Sequence, residues 1–387
     1  MKIGVANFSL ELSIVELESL QHFYLFAKLQ PTVFFTRKKS FLESELQQIA
    51  LKTKKNIPIK VESFSYEKTW SPFLILNLRE KVIKNKIEVM LFFNLEEGTF
   101  ISLALKGLPV KLVLRGNFSR AIKKNDWLNN YIYERIDGIV STSQYGAAQL
   151  QSQSSNQEHF PMIYNPMSFD SYSIQESFED KNKYIREKNK FLEILHIGDI
   201  HDEYGQFEAL HAANYLKEKG FHFKVTFVGE FVDSSYYQKI LHFIKEHNLS
   251  SYVVFVGEHQ NLNYFYQKSH ILLAPFYDSS KIQIYLDALA HGLPLLAYEN
   301  STFLEFRLLG FNIFLFENKD IRSYCKKLEH MAYNIKPILR NSLDNNLSVA
   351  IEYFSSEVVA KQWINYFRSL LDQRNNGFRN GLNFKVS

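Results

Sequence analysis

The sequence predicts an α/β protein built from two Rossmann-like, doubly wound parallel-sheet domains facing a cleft. Three observations predict it. Short apolar runs alternate with longer amphipathic stretches along most of the 387 residues, and strand–helix alternation implies a parallel sheet with helices on both faces. That length exceeds one ordinary domain and suits two of about 190 residues each. The rhythm breaks once, in a polar stretch rich in Ser, Asn, Asp and Lys between Asn165 and Lys190, and then restarts. Such a stretch reads as a linker.

In the first half the expected strands are Lys2–Ala6, Thr32–Thr36, Ile57–Val61, Val89–Phe93, Val110–Leu114, Gly138–Ser141 and Met162–Tyr164. Helical periodicity runs through Ile14–Leu29 and Phe41–Lys52. After the break, Leu192–Ile197, Lys224–Val228, Val253–Val256, Ile271–Ala274, Leu295–Ala297 and Ile313–Phe316 read as strands. Phe207–Lys219, Tyr237–Glu246, Ile282–Ala290 and Ile321–Ala332 read as helices, and Val358–Leu371 as one more. The expected organisation is a first domain over 1–165, a linker over 166–190, a second domain over 191–355 and a C-terminal helix within 356–387. Strand C-terminal ends of such sheets converge on ligands.

Hydrophobic residues make up 46% of the chain, which excludes disorder by composition. The net charge of +4 excludes a chain dominated by nucleic-acid electrostatics, so no nucleic-acid partner is expected. The charge is unevenly spread. Residues through Asn165 hold 21 basic and 15 acidic side chains, and the remainder holds 24 and 26. The single cysteine, Cys325, leaves no internal disulfide or Cys-x-x-Cys zinc site, and suits a reducing compartment. No apolar run reaches about 18 residues, the length of a membrane span. The start, Met1-Lys2-Ile3-Gly4-Val5-Ala6, reads as a strand, not a signal peptide. A cytoplasmic protein is expected. Basic stretches Arg37-Lys38-Lys39, Lys52-Thr53-Lys54-Lys55 and Lys81–Lys86 read as solvated faces or as steering toward anionic lipid at the inner face of the cell membrane.

The strongest local feature runs from Pro275 to Pro294. A buried strand delivers the chain to Asp278-Ser279-Ser280-Lys281, a helix follows, and Gly292-Leu293-Pro294 ends it. Free N–H groups at the start of such a helix suit a diphosphate, and Lys281 adds a full positive charge there. The same pattern also describes an ordinary capped helix. Asp199-Ile200-His201-Asp202-Glu203 packs four ionisable side chains after a strand, which suits a metal or simple helix capping. No Asp-x-Asp triplet occurs. Glu96-Glu97-Gly98 offers a catalytic base or ordinary acidic residues at a helix start.

These blocks resemble the nucleotide-sugar-binding domain of GT-B glycosyltransferases, in particular glycosyltransferase family 4. The matching residues are Ile194–Gly198, Glu203–Leu210, Val225–Gly229, Val254–Gly257, Tyr266–Pro275, Asp287–Pro294, Glu305 and Gly310. Gly107-Leu108-Pro109-Val110, Glu134–Ser143 and Ile163–Pro166 match first-domain landmarks more loosely. The resemblance implies transfer of a sugar from a nucleotide-diphosphate sugar to a saccharide or lipid-linked glycan in surface-polysaccharide assembly. It implies retention of anomeric configuration, with no metal and no cofactor beyond the donor. It places Gly198, Asp199, Tyr204, Gly229, Glu258, Ser279, Ser280, Lys281, Asp287, Glu305 and Arg307 at the donor. Asp287 holds the ribose and Glu258 lies near the base. Asn94, Asn117 and Arg120 fall on the acceptor side, and Glu96, Arg115 and Asp287 are the catalytic candidates. The C-terminal helix crosses back to the first domain.

Several positions depart from the family pattern. Asp199 and Tyr204 stand where the family has the Arg and Lys that stabilise a leaving diphosphate. Ser279 replaces the first of two glutamates, Asp287 the second, and Ser301-Thr302 a glycine pair. Ala6-Asn7-Phe8-Ser9 replaces a glycine-rich loop, and Arg115 a histidine. Asp in place of Arg puts like charge beside phosphate, which costs on the order of a few kcal/mol in a poorly solvated cleft. Either Lys281, Arg307, Arg115 and Arg120 supply the charge, or the chain is a catalytically silent GT-B protein that partners another transferase or binds a glycan.

Overall fold

The computed structural model describes residues 1–10, 13–52, 59–65, 71–116, 135–153, 160–167, 169–187, 191–259, 261–275, 282–317 and 320–372. The chain divides into two units. Unit 1 comprises Met1–Pro166 and Ser356–Ser387, and unit 2 comprises Met167–Ser355.

Unit 1 is built on strands β1 (Ile3–Ala6), β2 (Thr32–Arg37), β3 (Lys60–Phe64), β4 (Val89–Phe92), β5 (Lys111–Gly116) and β6 (Gly138–Ser141). Its helices are α1 (Ile14–Ala27), α2 (Phe41–Lys52), α3 (Pro72–Asn85), α4 (Leu95–Ala104) and α5 (Gln144–Gln153). Unit 2 contains α6 (Ser171–Arg186), β7 (Leu192–Ile197), α7 (Gln206–Glu218), β8 (Phe223–Val228), α8 (Ser234–Glu246), β9 (Val253–Gly257) and α9 (Asn263–Lys268). It continues with β10 (Ile271–Ala274), α10 (Ile282–Ala290), β11 (Leu295–Tyr298), α11 (Ser301–Leu309), β12 (Ile313–Phe316), α12 (Ile321–Tyr333) and α13 (Ile335–Phe354). The last helix, α14 (Ser356–Asp372), belongs to unit 1.

Every ladder is parallel. The strand orders are β3-β2-β1-β4-β5-β6 and β12-β11-β10-β7-β8-β9. Both are the Rossmann order, and it reverses between β1 and β4 and between β7 and β10. Central strands such as β1, β4, β10 and β11 are buried at every residue. They are therefore continuous apolar runs, because helices cover both faces of a parallel sheet.

Unit 1 depends on a helix that is distant in sequence. Trp363 and Phe367 of α14 are fully buried in one core with Phe23, Phe26, Val89 and Val113. The Arg115 guanidinium at the end of β5 lies 5.3 Å from the Trp363 ring. It donates to the Ile163 carbonyl at 2.9 Å and to Asn165 Oδ1. Asn165 in turn donates to Glu18 of α1 at 2.6 Å. This cluster explains a difference from the strand expected at Met162–Tyr164. That segment makes only an isolated bridge, Ser141 to Met162, and the Ile163 carbonyl turns to Arg115 instead of a ladder. Pro161 and Pro166 bracket it and lack N–H donors.

Two further differences have local causes. The polar stretch expected as a linker holds the 16-residue helix α6, capped by Asp170, with Ile174, Ser177 and Lys181 buried in unit 2. Its Lys181 Nζ donates to the Tyr266 carbonyl at 2.7 Å, and burial lowers its pKa to about 7. The 20-residue α13 also goes beyond the sequence expectation. Its Pro337 sits in the first turn, where a missing N–H costs nothing, and Asn346 spends its side chain on Leu293 and Asn312.

Replacing Arg115 with Ala leaves two buried acceptors unmatched and a void beneath Trp363. It is expected to destabilise unit 1 by about 3–5 kcal/mol. Chemical denaturation followed by fluorescence checks this, and a midpoint within error of the parent refutes it.

Candidate functional site

In unit 2 the C-terminal strand ends meet beside the β7–β10 reversal. Gly198 directly follows β7 and its N–H donates to the Val228 carbonyl at 2.9 Å. Gly229 directly follows β8 and donates to the Gly257 carbonyl at 3.0 Å. A Cβ at Gly229 would overlap the Gly198 carbonyl, so only glycine permits this spacing. Both predicted donor glycines therefore serve, first, the close approach of neighbouring strand ends.

Beyond Gly198 the chain makes a short 3₁₀ turn, Asp202–Tyr204, capped by the His201 side chain. Gly205 then adopts φ +70°, and its α-carbon faces the Pro275 carbonyl with no room for a side chain. The Tyr204 ring packs against Gly198. Its carbonyl accepts from His196 Nε2 at 2.8 Å, while burial lowers the His196 pKa to about 4 and keeps the ring neutral. The Asp199 carbonyl accepts from Gln206 Nε2 at 2.8 Å. Asp199 and Tyr204 thus share one strand end.

α10 crosses this edge and is pinned from two sides. Tyr285 donates to the Ile197 carbonyl at the end of β7, at 3.0 Å, and Tyr266 donates to the Ile284 carbonyl at 3.1 Å. Two residues beyond these anchors Asp287 is partly buried, and burial pushes its carboxyl up to about 6. Gln283 one turn earlier donates to it at 3.2 Å. The next turn closes on His291, whose Nδ1 donates to the Asp287 carbonyl at 2.7 Å. That tautomer leaves Nε2 to accept from Ser173 of α6, 3.0 Å away.

The other predicted donor residues scatter. Glu258 is exposed one residue past β9, the edge strand three places from β10. At about 4.8 Å per strand that is roughly 14 Å from the β10 end. Glu305 is buried in α11, whereas Arg307 is exposed in its last turn. Two residues apart on a helix, they face different ways. Ser279, Ser280 and Lys281 lie outside the described residues, as do Asn117 and Arg120.

In unit 1 the structure redirects two catalytic candidates. Arg115 is fully buried and occupied by Ile163, Asn165 and Trp363, with burial lowering its pKa to about 10. It is a fastening of unit 1, which corrects its expected catalytic placement. Glu96 is exposed, and its N–H is capped by the Asn94 side chain at 3.1 Å. The unusual carboxylate is its neighbour. Glu97 is buried, accepts from the Phe8 N–H after β1 at 2.7 Å, and keeps its second oxygen unpartnered. Burial first, then the Glu16 and Glu96 charges, push its pKa up to about 8. The signal in the sequence was the Asn94-x-x-Glu97 spacing of a capping box, although Glu97 reaches to Phe8 instead of its own helix start. Among the described residues no group of three His, Cys, Asp or Glu side chains is placed to hold a metal ion.

Comparisons with known proteins bear on this geometry. Residues 177–347 match the family described as Glycosyl transferases group 1. No curated protein matches the chain. Among solved structures, a glycosyltransferase from Rickettsia africae ESF-5 is similar at 14% identity and TM-score 0.73, over 96% of this chain and 98% of that one. Anabaena Alr3699/HepE in complex with UDP is similar at 14% identity and TM-score 0.71, over 95% and 100%. Sucrose-phosphate synthase from Thermosynechococcus elongatus follows at 15% identity and TM-score 0.66, over 96% and 99%. The fold is the GT-B fold of these glycosyltransferases, two parallel six-stranded sheets with flanking helices.

The Glu97 environment has a signed consequence. Its folded pKa of about 8 exceeds the ordinary 4.5, so the native state binds the extra proton between those values and stability falls as pH rises through that window. Glu97→Gln keeps the acceptor for Phe8 and removes the charge. It is expected to flatten the fall in melting temperature across pH 5–8 relative to the parent; parallel curves for both proteins refute the assignment.

Proposed function

We propose that this protein is a glycosyltransferase that takes a sugar from a nucleotide-diphosphate sugar and passes it to a saccharide or lipid-linked glycan acceptor. The observation that carries the reading is α10. It follows the switch-point strand β10, is tied to the end of β7 through Tyr285, and holds Asp287 at the edge where open α/β sheets take ligands. The group 1 family match over residues 177–347 supports the same placement. So does the Anabaena relative of similar fold, solved with UDP and with UDP-glucose.

In this reading Asp287 accepts from the donor ribose hydroxyls. The start of α10 turns its N–H groups to the diphosphate, with Lys281 as the cation nearest in sequence. Glu258 sits toward the base, across the roughly 14 Å of sheet edge that a nucleotide spans. The bond between the anomeric carbon and the diphosphate oxygen breaks. The acceptor hydroxyl adds to the same face of the sugar, and its proton leaves with the diphosphate. Retention and independence from metal ions belong to this proposal through the family 4 resemblance. The acidic residue at 199 and the tyrosine at 204 move the burden of charge stabilisation onto α10.

Calorimetric titration with UDP, GDP and CDP tests the reading. One nucleotide is expected to bind, and Asp287→Ala to weaken it by about tenfold to a hundredfold, the worth of a hydrogen bond to a charged group. Unchanged affinity in that variant removes Asp287 from the site. Absence of binding by all three at millimolar concentration overturns the enzyme reading in favour of a silent GT-B partner protein.

A further inference from the structure

We propose that the solvent-facing side of α3 in unit 1 is a docking surface for an anionic lipid membrane. α3 buries Leu74, Leu78 and Val82 against the sheet, as an amphipathic helix should. Its opposite side is not polar. Phe73 is 83% exposed, Leu76 64% and Ile83 53%, and Phe73 is the most exposed large apolar side chain among the described residues. At 100° per residue these three fall within an arc of about 80° and span roughly 15 Å along the axis. Scattered exposed apolar residues need no explanation, but three on one stripe do.

The charges around the stripe select the occupant. On one border Arg79 reaches over the α4 terminus and donates to the Ala104 and Lys106 carbonyls at 2.9 and 2.8 Å. Its guanidinium is thereby fixed at the rim, next to the exposed Lys106. On the other border lies the exposed Lys84, and the exposed Lys86 caps the C-terminal end of the helix. Lys81, further round the helix, is spent on Glu62 at 2.8 Å. Glu80 is the single acidic residue within the arc. Four cations to one anion around an apolar stripe is the pattern of a helix lying in a lipid interface, with apolar side chains inserted and cations at the headgroups. A second copy of the chain is the poorer fit. A two-fold contact would bring the same cations face to face.

This inference is independent of the donor site. It rests on the transfer reading only where a lipid-linked acceptor would give the docking its use.

Vesicle flotation of the full-length protein decides it. The parent is expected to float with mixed phosphatidylcholine–phosphatidylglycerol vesicles, to bind pure phosphatidylcholine at least about tenfold more weakly, and to release in high salt. The triple variant Phe73→Ser, Leu76→Ser, Ile83→Ser is expected to lose at least about tenfold in vesicle binding. It should keep its melting temperature and any nucleotide affinity, because the replaced side chains touch solvent. Phe73→Trp is expected to retain binding and to gain blue-shifted fluorescence on vesicles. Failure of the parent to bind anionic vesicles overturns the proposal, as does equal binding by the triple variant. A parent that is dimeric in solution and becomes monomeric in the triple variant, without vesicle binding, shows instead that a second copy covers the face. Loss of nucleotide binding in the parent would strike the donor reading and leave this one standing.

Discussion

A buried guanidinium holds unit 1 together. Arg115 lies at the end of β5, yet its partners come from the segment leaving the unit, Ile163 and Asn165, and from the helix that returns to it, through Trp363. Two of its guanidinium nitrogens donate and an aromatic face lies against the group, which offsets part of the cost of taking the charge out of water, while Nε keeps no partner. Glu18 extends the cluster to α1 through Asn165. The cost of desolvating Arg115 thus becomes a condition on the fold. The chain must come back after Ser355 and supply α14, or unit 1 is left with an open core and an unpaired ion. The same charge helps to hold the buried His22 neutral, after burial itself.

The two units share one strand order and differ at their strand ends. In unit 1 the edge between β1 and β4 is closed by carboxylates. Glu97 takes the Phe8 N–H, and Glu16 binds Ser13 and Asn7. In unit 2 the corresponding edge is built from glycines packed against one another and from a helix anchored by two tyrosines. Burial raises the Asp287 carboxyl there to about 6, and it stays mostly ionised at neutral pH. One fold, used twice, therefore presents two chemically different edges.

The architecture was largely legible because its signal is local. Continuous apolar strands such as Ile271–Ala274 and amphipathic helices such as Tyr237–Glu246 declare themselves in a window of a few residues. The elements that escaped are those whose apolar face is thin. α6 buries only Ile174 among its apolar residues together with Ser173, Ser177 and Lys181, and α13 carries Asn and Ser at buried positions. Their polar atoms are satisfied by partners far along the chain, such as the Tyr266 carbonyl for Lys181 and the Leu293 carbonyl for Asn346. No window of sequence contains that information.

By itself the sequence determined that strands and helices alternate, that the chain is long enough for two such sheets, and that a helix bearing Asp287 follows a buried strand. Those follow from side-chain periodicity, which every residue carries with it. Tertiary structure alone decided what each charge does. Arg115 became a fastening and not a cleft cation, Glu97 became a buried carboxyl whose pKa desolvation raises, and Arg307 took the exposed side of α11 while Glu305 was buried. The physical reason is that desolvation and pairing depend on atoms brought together from distant parts of the chain. The ionisation and employment of a side chain are set by the fold around it, not by its neighbours in sequence.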